Sequence, residues 1–190
     1  SLLSNTTGFE NVAVGLYAGI IGNFNSQCTF LGSSTGAPNG TTITNATAIG
    51  YYATVDMSNK VVIGNTAVTS IGGQVGWTTY SDKNLKTNIN KSKLGLNFIL
   101  QLNPVSYNYK AEGQKDILYT GLLAQEVDAA AQKTGAAFSG VDKHGEYWGI
   151  RYAELTVPLI TSVQELNEKT VAAEKENQQL KSDIEKLQSA

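Results

Sequence analysis

The stretch Thr47-Ala48-Ile49-Gly50 is one of four segments in which three apolar or β-branched residues are followed by a glycine. The other three are Val12-Ala13-Val14-Gly15, Thr29-Phe30-Leu31-Gly32 and Val61-Val62-Ile63-Gly64. The four glycines are 17, 18 and 14 residues apart, and Asn11, Asn45 and Asn59 precede three of the segments. This repeat predicts short β-strands, each closed by a glycine free to adopt a positive φ. Units so short must stack on one another or on other chains, so we predict a β-solenoid or β-roll assembled from several chains.

Charged residues are divided unevenly along the 190-residue chain. Residues 1–80 contain only Glu10, Asp56 and Lys60, whereas the other 27 charged side chains lie in residues 81–190. Twelve of the 19 glycines also fall in the first part. A globular domain averages about 25% charged residues, which the second part alone matches. The composition therefore predicts a boundary near residue 80, between a glycine-rich β-repeat segment and a domain of another kind.

The composition excludes several classes of function. A net charge of −2 gives no electrostatic reason to bind nucleic acid or an anionic membrane surface. No apolar run reaches the length of a membrane-spanning helix, so we predict no membrane insertion. The single cysteine, Cys28, excludes an intramolecular disulfide and any zinc site built from several cysteines. We find no phosphate-binding, dinucleotide-binding or zinc-protease motif, and we predict neither a metal nor a cofactor.

Residues 81–157 have the mixed pattern of a small α+β domain. The predicted elements are helices over residues 93–102 and 124–133 and strands over residues 105–109, 117–123 and 145–150. A piece of this size is small for a self-sufficient core, and oligomerisation would remove that difficulty.

Residues 158–190 carry a heptad seam, in which apolar or small residues recur at alternating steps of four and three. The seam consists of Leu159, Val163, Leu166, Thr170, Ala173, Asn177, Leu180, Ile184 and Leu187. A long helix with one narrow apolar stripe must pair with others, so we predict an oligomerising coiled coil that begins with Pro158 in the first turn or near Ala153. The residue pattern favours a parallel dimer, and Asn177 at an a position would set its register.

Four other residues stand out but do not form a site. Ser34 lies in Gly32-Ser33-Ser34-Thr35-Gly36, which matches the nucleophile-elbow motif, yet a turn follows where that motif requires a helix. We therefore interpret Ser34 as part of a polar loop. His144 fits a turn residue, and we expect Trp77 and Trp148 to pack at chain interfaces.

The second part of the chain resembles a known family, the intramolecular chaperone auto-processing domain of phage tailspikes and tail fibres, of the endosialidase chaperone type. The resemblance lies in Tyr80-Ser81-Asp82-Lys83-Asn84-Leu85-Lys86-Thr87-Asn88-Ile89, Leu102-Asn103-Pro104-Val105-Ser106-Tyr107, Gly121-Leu122-Leu123-Ala124-Gln125-Glu126-Val127 and Tyr152-Ala153-Glu154-Leu155-Thr156-Val157-Pro158-Leu159-Ile160. More loosely, the repeats of residues 1–80 resemble the β-roll heads of trimeric adhesins and the fibre segments that precede such chaperones.

The resemblance implies a homotrimer that directs the folding of the fibre before it and then cuts itself off. Carried over, the scissile bond is Tyr80–Ser81, the nucleophile is Ser81, and Lys86 is the general base of a Ser-Lys dyad. The resemblance thus implies a single-turnover serine endopeptidase that needs no cofactor. A lysine acts as a base only if burial or nearby positive charge lowers its pKa, and Lys83 is a candidate for that charge. Residues five apart face different sides of a regular helix, so the dyad requires an irregular segment or a lysine from a neighbouring chain.

Three hypotheses follow, together with one structural alternative for the site. The first is the self-cleaving chaperone that carries the end of its fibre. The second is a non-cleaving trimerisation tip of a phage tail fibre or bacterial adhesin, and the third is a receptor- or glycan-binding head formed by residues 1–80. Each implies a location on a virion tail fibre or at a bacterial cell surface. In the structural alternative, Ser81-Asp82 is simply a helix N-cap.

Overall fold

A computed structural model of the chain describes residues 1–20, 25–110 and 114–189. The described chain is mixed α/β and ends in a long helix. The chain forms two compact units, and each unit combines segments that are distant from one another in the sequence. The first comprises residues 1–78, 106–119 and 144–147, and the second comprises residues 79–105, 120–143 and 148–190. The linear division at residues 80 and 157 stays a prediction.

The first unit contains the four predicted strands in one parallel sheet. They are Val12–Val14 (β1), Thr29–Leu31 (β2), Thr47–Ile49 (β3) and Val61–Ile63 (β4). Each strand pairs with the next, so that the sheet order is β1-β2-β3-β4 and equivalent residues stand side by side. The predicted glycines follow the strands with φ between +82° and +131°. The sequence repeat therefore predicted both the strands and their closing residues correctly.

Side chains at the centres of the four strands face a common core. Phe30 and Ala48 are fully buried, and Ala13 and Val62 pack against the same cluster. Cys28 is buried beside them, and desolvation by burial raises the pKa of its thiol. Neighbouring side chains of a strand point to opposite faces, so the outer positions remain open, as with the 62% exposed Val14.

The second unit is built from short elements and one long helix. Strands Val105–Tyr107 (β5) and Tyr119–Gly121 (β6) contain residues assigned to both units. The short elements that lie wholly in the second unit are the helices Leu96–Ile99 (α1) and Ala124–Lys133 (α2), and the strands Val141–Asp142 (β7) and Gly149–Ile150 (β8). Strands β5 and β6 form one two-stranded sheet, and β7 and β8 form another, antiparallel one. Phe98 and Val127 anchor the core of this unit, with Leu155 at its edge.

Several predicted elements differ from the observed ones in length. The first helix starts after Gly95, which has no side chain that could cap it. Glu165 provides the cap instead: its carboxylate oxygen accepts a hydrogen bond from the Leu96 N–H at 2.8 Å. The strand predicted over residues 145–150 is confined to β8, because residues 145–147 form a bend after Gly145. Strand β7 was not predicted. The helix predicted over residues 124–133 has the predicted bounds.

The final helix, Thr156–Gln188 (α3), is 33 residues long and follows a 3-10 turn at Tyr152–Leu155. Pro158 lies in its first turn, as one of the two sequence interpretations predicted. Residue 190, the last of the predicted coiled-coil range, lies outside the described residues. Within the described part of the chain, no helix has the length and apolarity needed to cross a membrane.

The close stacking of strands at glycine gives a first test. A Cβ at Gly32, where φ is +131°, would lie 2.8 Å from the carbonyl carbon and oxygen of Gly50. We expect Gly32→Ala to reduce the free energy of unfolding by about 2 kcal/mol or more, through backbone strain and this clash. Gly76→Ala is the control, because a Cβ at Gly76 meets nothing within 4 Å. Equal urea midpoints for the two variants would contradict the observed packing.

An ion pair in the first unit gives a second test. Burial acts to raise the pKa of Asp56, but the Lys60 ammonium at 2.8 Å and the Glu146 N–H lower it below its usual value. A lowered pKa means that Asp56 contributes stability above about pH 4, and that this contribution is lost as the pH falls through the folded-state pKa. We expect Asp56→Asn to cost about 1 kcal/mol at pH 7 and almost nothing at pH 2.

The control for Asp56→Asn is Glu10→Gln, whose carboxylate accepts an exposed hydrogen bond from Gln27. We expect this variant to change unfolding by less than about 0.5 kcal/mol at either pH. Urea unfolding at the two pH values provides the measurement. A stability difference for Asp56→Asn that persists undiminished at pH 2 would refute the role assigned to the ion pair.

Candidate functional site

The segment from Ser81 to Lys86 forms one 3-10 turn between two extended residues. Asp82 precedes the turn Lys83–Leu85 with φ −61° and ψ 136°, and Lys86 follows it with φ −121° and ψ 145°. The Lys86 N–H donates to the Lys83 carbonyl at 3.1 Å. The backbone is extended on both sides of the turn, so the helical conformation is confined to Lys83–Leu85.

This irregular geometry brings Ser81 and Lys86 together. The Lys86 Nζ donates a hydrogen bond to the Ser81 Oγ over 2.6 Å. A pair five residues apart would face different sides of a regular helix, whereas the turn with extended ends returns both side chains to the same side. The contact therefore forms within one chain, which is one of the two routes expected from the sequence.

Asp82 has the capping role that the structural alternative assigned to Ser81-Asp82. Its Oδ1 accepts from the Asn84 N–H at 2.8 Å, which satisfies a backbone donor of the turn. Ser81 does not contribute to this cap; its hydroxyl oxygen accepts a hydrogen bond from the Lys86 Nζ instead. The capping interpretation and the dyad interpretation thus apply to different residues and are compatible. The role of Lys83 as a positive neighbour of Lys86 stays a prediction.

The site is open to water in the single chain. Every residue from 66 to 93 is exposed, and Tyr80, which carries the carbonyl of the predicted scissile bond, is 88% exposed. Abstraction of the serine proton requires a neutral amine. The chain therefore supplies the geometry of a Ser-Lys pair without the apolar surroundings that would favour its active protonation state.

The other residues singled out in the sequence belong to other segments of the chain. Ser34 is in the turn after β2 with φ +57°, and it lines a groove of about 340 Å³ together with Tyr17 and Tyr52. His144 lies in the loop between β7 and β8. Trp77 is 88% exposed. Among the described residues, no group of three or more His, Cys, Asp and Glu side chains is arranged to hold a metal ion.

Trp148 lies beside a lysine side chain. It is 39% exposed, and the Lys143 Nζ lies 5.6 Å from the centroid of its ring, within the range of a cation–π contact. The packing of either tryptophan at a chain interface stays a prediction.

Sequence reasoning missed an apolar groove of about 360 Å³ beside the start of α3. Its lining includes Ile99, Leu102, Pro104, Leu122, Tyr152, Leu155 and Leu159. The Leu122 N–H donates to the Tyr152 hydroxyl at 2.9 Å, which ties β6 to the turn before α3. These residues come from separate segments, so no single periodicity indicates the groove. Several of these residues belong to the motifs that carry the family resemblance, but nothing in the sequence indicated that they line one groove.

Part of the chain matches a family model. Residues 81–136 match the family model described as chaperone of endosialidase. No curated protein matches the chain significantly. The match begins at Ser81, the residue that directly follows the predicted scissile bond. It supports the chaperone domain predicted for this part of the chain and suggests an intramolecular chaperone role.

Proposed function

We propose that this chain joins the end of a trimeric fibre to an intramolecular chaperone, which directs the folding of the fibre and then releases itself by cutting Tyr80–Ser81. The observation that carries the proposal is the contact between the Lys86 Nζ and the Ser81 Oγ, which lie 2.6 Å apart. The family match, which starts at that serine, supports it. In this proposal Ser81 is the nucleophile and Lys86 the general base.

The reaction is an intramolecular acyl shift followed by hydrolysis. Neutral Lys86 takes the proton of the Ser81 hydroxyl as the Oγ attacks the carbonyl carbon of Tyr80, through a five-membered ring. The bond between this carbon and the Ser81 nitrogen then breaks, and the nitrogen receives the proton from Lys86. The product is an ester between the Tyr80 carboxyl and the Ser81 side chain. Water hydrolyses the ester to a Tyr80 carboxylate and a Ser81 that keeps its hydroxyl and has a free amine.

Other copies of the chain would supply the shielding that the reaction needs. The junction carries large apolar side chains that are 61–88% exposed, namely Ile71, Val75, Trp77, Tyr80, Leu85 and Ile89. An exposed apolar stretch of this kind is typical of a surface that another chain covers. Its burial in a trimer would remove water from Ser81 and Lys86 and favour the neutral lysine.

The long helix supports assembly as a coiled coil. Pro158 and Ser162 are buried, and Glu165 caps α1, so one face of the helix packs within its own chain. The heptad seam lies on a different face. Its aliphatic members Leu159, Val163, Leu166, Leu180, Ile184 and Leu187 are 48–79% exposed. A seam left open along such a helix requires partner helices.

The repeat segment fits the fibre part of the proposal. Four parallel strands are stacked in register, and their connections of 11 to 15 residues contain no helix in the described residues. This pairing supports the proposal that the segment is part of a β-solenoid. Three outer strand positions are apolar and open, namely Val12, Val14 and Val61, which are 51–65% exposed. Contact with equivalent strands of other copies would cover them. The proposed location is a virion tail fibre or a bacterial cell surface.

Two other functions each have an observation in their favour. The exposure of Ser81 and Lys86 favours a non-cleaving trimerisation tip, in which the same domain only fixes the number of chains. The uncharged groove between Tyr17 and Tyr52 favours a receptor- or glycan-binding head in the repeat segment. The first alternative is separated from autoproteolysis by the cleavage experiment below, and the second by a binding screen with isolated glycans.

Cleavage can be followed on a denaturing gel of freshly expressed protein. We expect fragments of residues 1–80 and 81–190, with the new N-terminus at Ser81. Ser81→Ala should abolish them, and Lys86→Ala should slow their appearance by roughly 100-fold or more, since a general base contributes at least this factor. Ser70→Ala and Lys91→Ala, which change exposed residues of the same types, are the controls. A single full-length band from the wild-type chain would rule out autoproteolysis.

Light scattering of the Ser81→Ala chain tests the assembly. We expect a trimer, and we expect Leu180→Asp to shift it towards monomer because a carboxylate would enter the apolar seam. Ser182→Asp, on an outward position of the same helix, is the matched control and should remain a trimer. A dimer would contradict the trimer that the family implies and would agree with the heptad pattern instead.

A further inference from the structure

We infer that Asp82 is a positioning residue for the proposed self-cleavage: its carboxylate holds the turn that brings the Lys86 side chain to the Ser81 hydroxyl. The inference rests on the proposed function, and it deepens it by assigning a role to a residue outside the Ser-Lys pair. Asp82 does not touch the Ser81 Oγ in this assignment, so its effect passes through the backbone.

The turn has little else to hold it. It consists of Lys83–Leu85, none of which is buried, so tertiary packing does not fix it. Its two backbone hydrogen bonds, to the carbonyls of Asp82 and Lys83, measure 3.2 and 3.1 Å. The bond from the Asn84 N–H to the Asp82 Oδ1 is shorter, at 2.8 Å, and its acceptor is charged. A side-chain oxygen that accepts from a backbone N–H at the start of a turn is a stabilising N-cap, so the cap is a principal support of this turn.

The contact between Ser81 and Lys86 depends on that turn being closed. In an extended chain, residues five apart are separated by about 17 Å, further than a serine and a lysine side chain together span. The closed turn shortens this separation enough for the two side-chain atoms to meet at 2.6 Å. Opening the turn removes the base from the nucleophile and leaves the peptide bond itself unchanged.

The cap and the charge of Asp82 can be separated by substitution. Asparagine and serine are N-cap residues about as good as aspartate, because each offers a side-chain oxygen to the backbone N–H, whereas alanine offers none. Asp82→Asn therefore keeps the cap and removes the charge. A positioning role predicts that Asp82→Asn and Asp82→Ser cut like the wild type and that Asp82→Ala does not.

The experiment is a time course of cleavage for the full chain and these three variants, over a range of pH. We expect Asp82→Ala to be slowed roughly 2- to 30-fold, the range that corresponds to the loss of an N-cap. Asp82→Asn and Asp82→Ser should stay within about twofold of the wild type. The pH profile of Asp82→Ala should keep its shape, because the base and nucleophile are unchanged. Light scattering should show the same assembly for every variant.

Two outcomes overturn the inference while the proposed function stands: Asp82→Ala cuts as fast as the wild type, or Asp82→Asn is as slow as Asp82→Ala. If the wild-type chain is not cut, the proposed function fails, and a second measurement judges the placement of the side chains. This is the nuclear Overhauser contact between the ε-protons of Lys86 and the β-protons of residue 81. Positioning by the cap predicts that the contact is lost in Asp82→Ala and kept in Asp82→Asn; its survival in Asp82→Ala overturns the inference.

Discussion

The close approach of successive backbone passes at their glycines is the constraint on which the repeat unit depends. A Cβ at Gly15 would lie 2.6 Å from the carbonyl carbon of Gly32, and one at Gly32 would lie 2.8 Å from that of Gly50. Only glycine permits both this approach and the positive φ, so these residues set the register of the strands. The register turns Phe30 and Ala48 into the core and leaves alternate positions facing outward. The same constraint that builds the core therefore produces the apolar outer face.

Local patterns predicted local structure well and long-range grouping poorly. The four strands follow from a repeated triplet of apolar or β-branched residues before a glycine, and α2 follows from its helical pattern; both are properties of contiguous sequence. The grouping of residues 106–119 and 144–147 with the repeats follows from individual contacts between distant residues. The Gln114 amide donates to the Thr66 carbonyl at 2.6 Å, and the Glu146 N–H donates to Asp56. Neither contact joins residues at a regular spacing, so the sequence pattern does not predict it.

The candidate site was named from the sequence through a family resemblance, since Ser81 and Lys86 have no spacing that marks them by itself. The requirement for an irregular segment did follow from elementary geometry, and the 3-10 turn with extended ends meets it. The distribution of roles within the segment did not follow. The sequence offered Ser81 and Asp82 jointly as a cap, whereas the structure gives the cap to Asp82 and the lysine contact to Ser81. The directions of the two side chains decide which residue forms the cap and which contacts the lysine, and the spacing of residues in the sequence does not indicate those directions.

Because the Ser81–Lys86 pair is exposed in the single chain, the proposed reaction would have two stages, first assembly of the chains and then cleavage. A lysine acts as a base only as the neutral amine, which water disfavours and burial favours. In the single chain both residues stand in water, so the geometry is present before the electrostatic conditions for attack. Assembly that covers the apolar junction would create those conditions at Tyr80–Ser81. In the proposed reaction, cutting would then follow assembly, because the same burial that joins the chains would also activate the base. A chaperone that must hold its fibre until the chains have assembled requires this order, and an exposed, preformed pair is a simple way to obtain it.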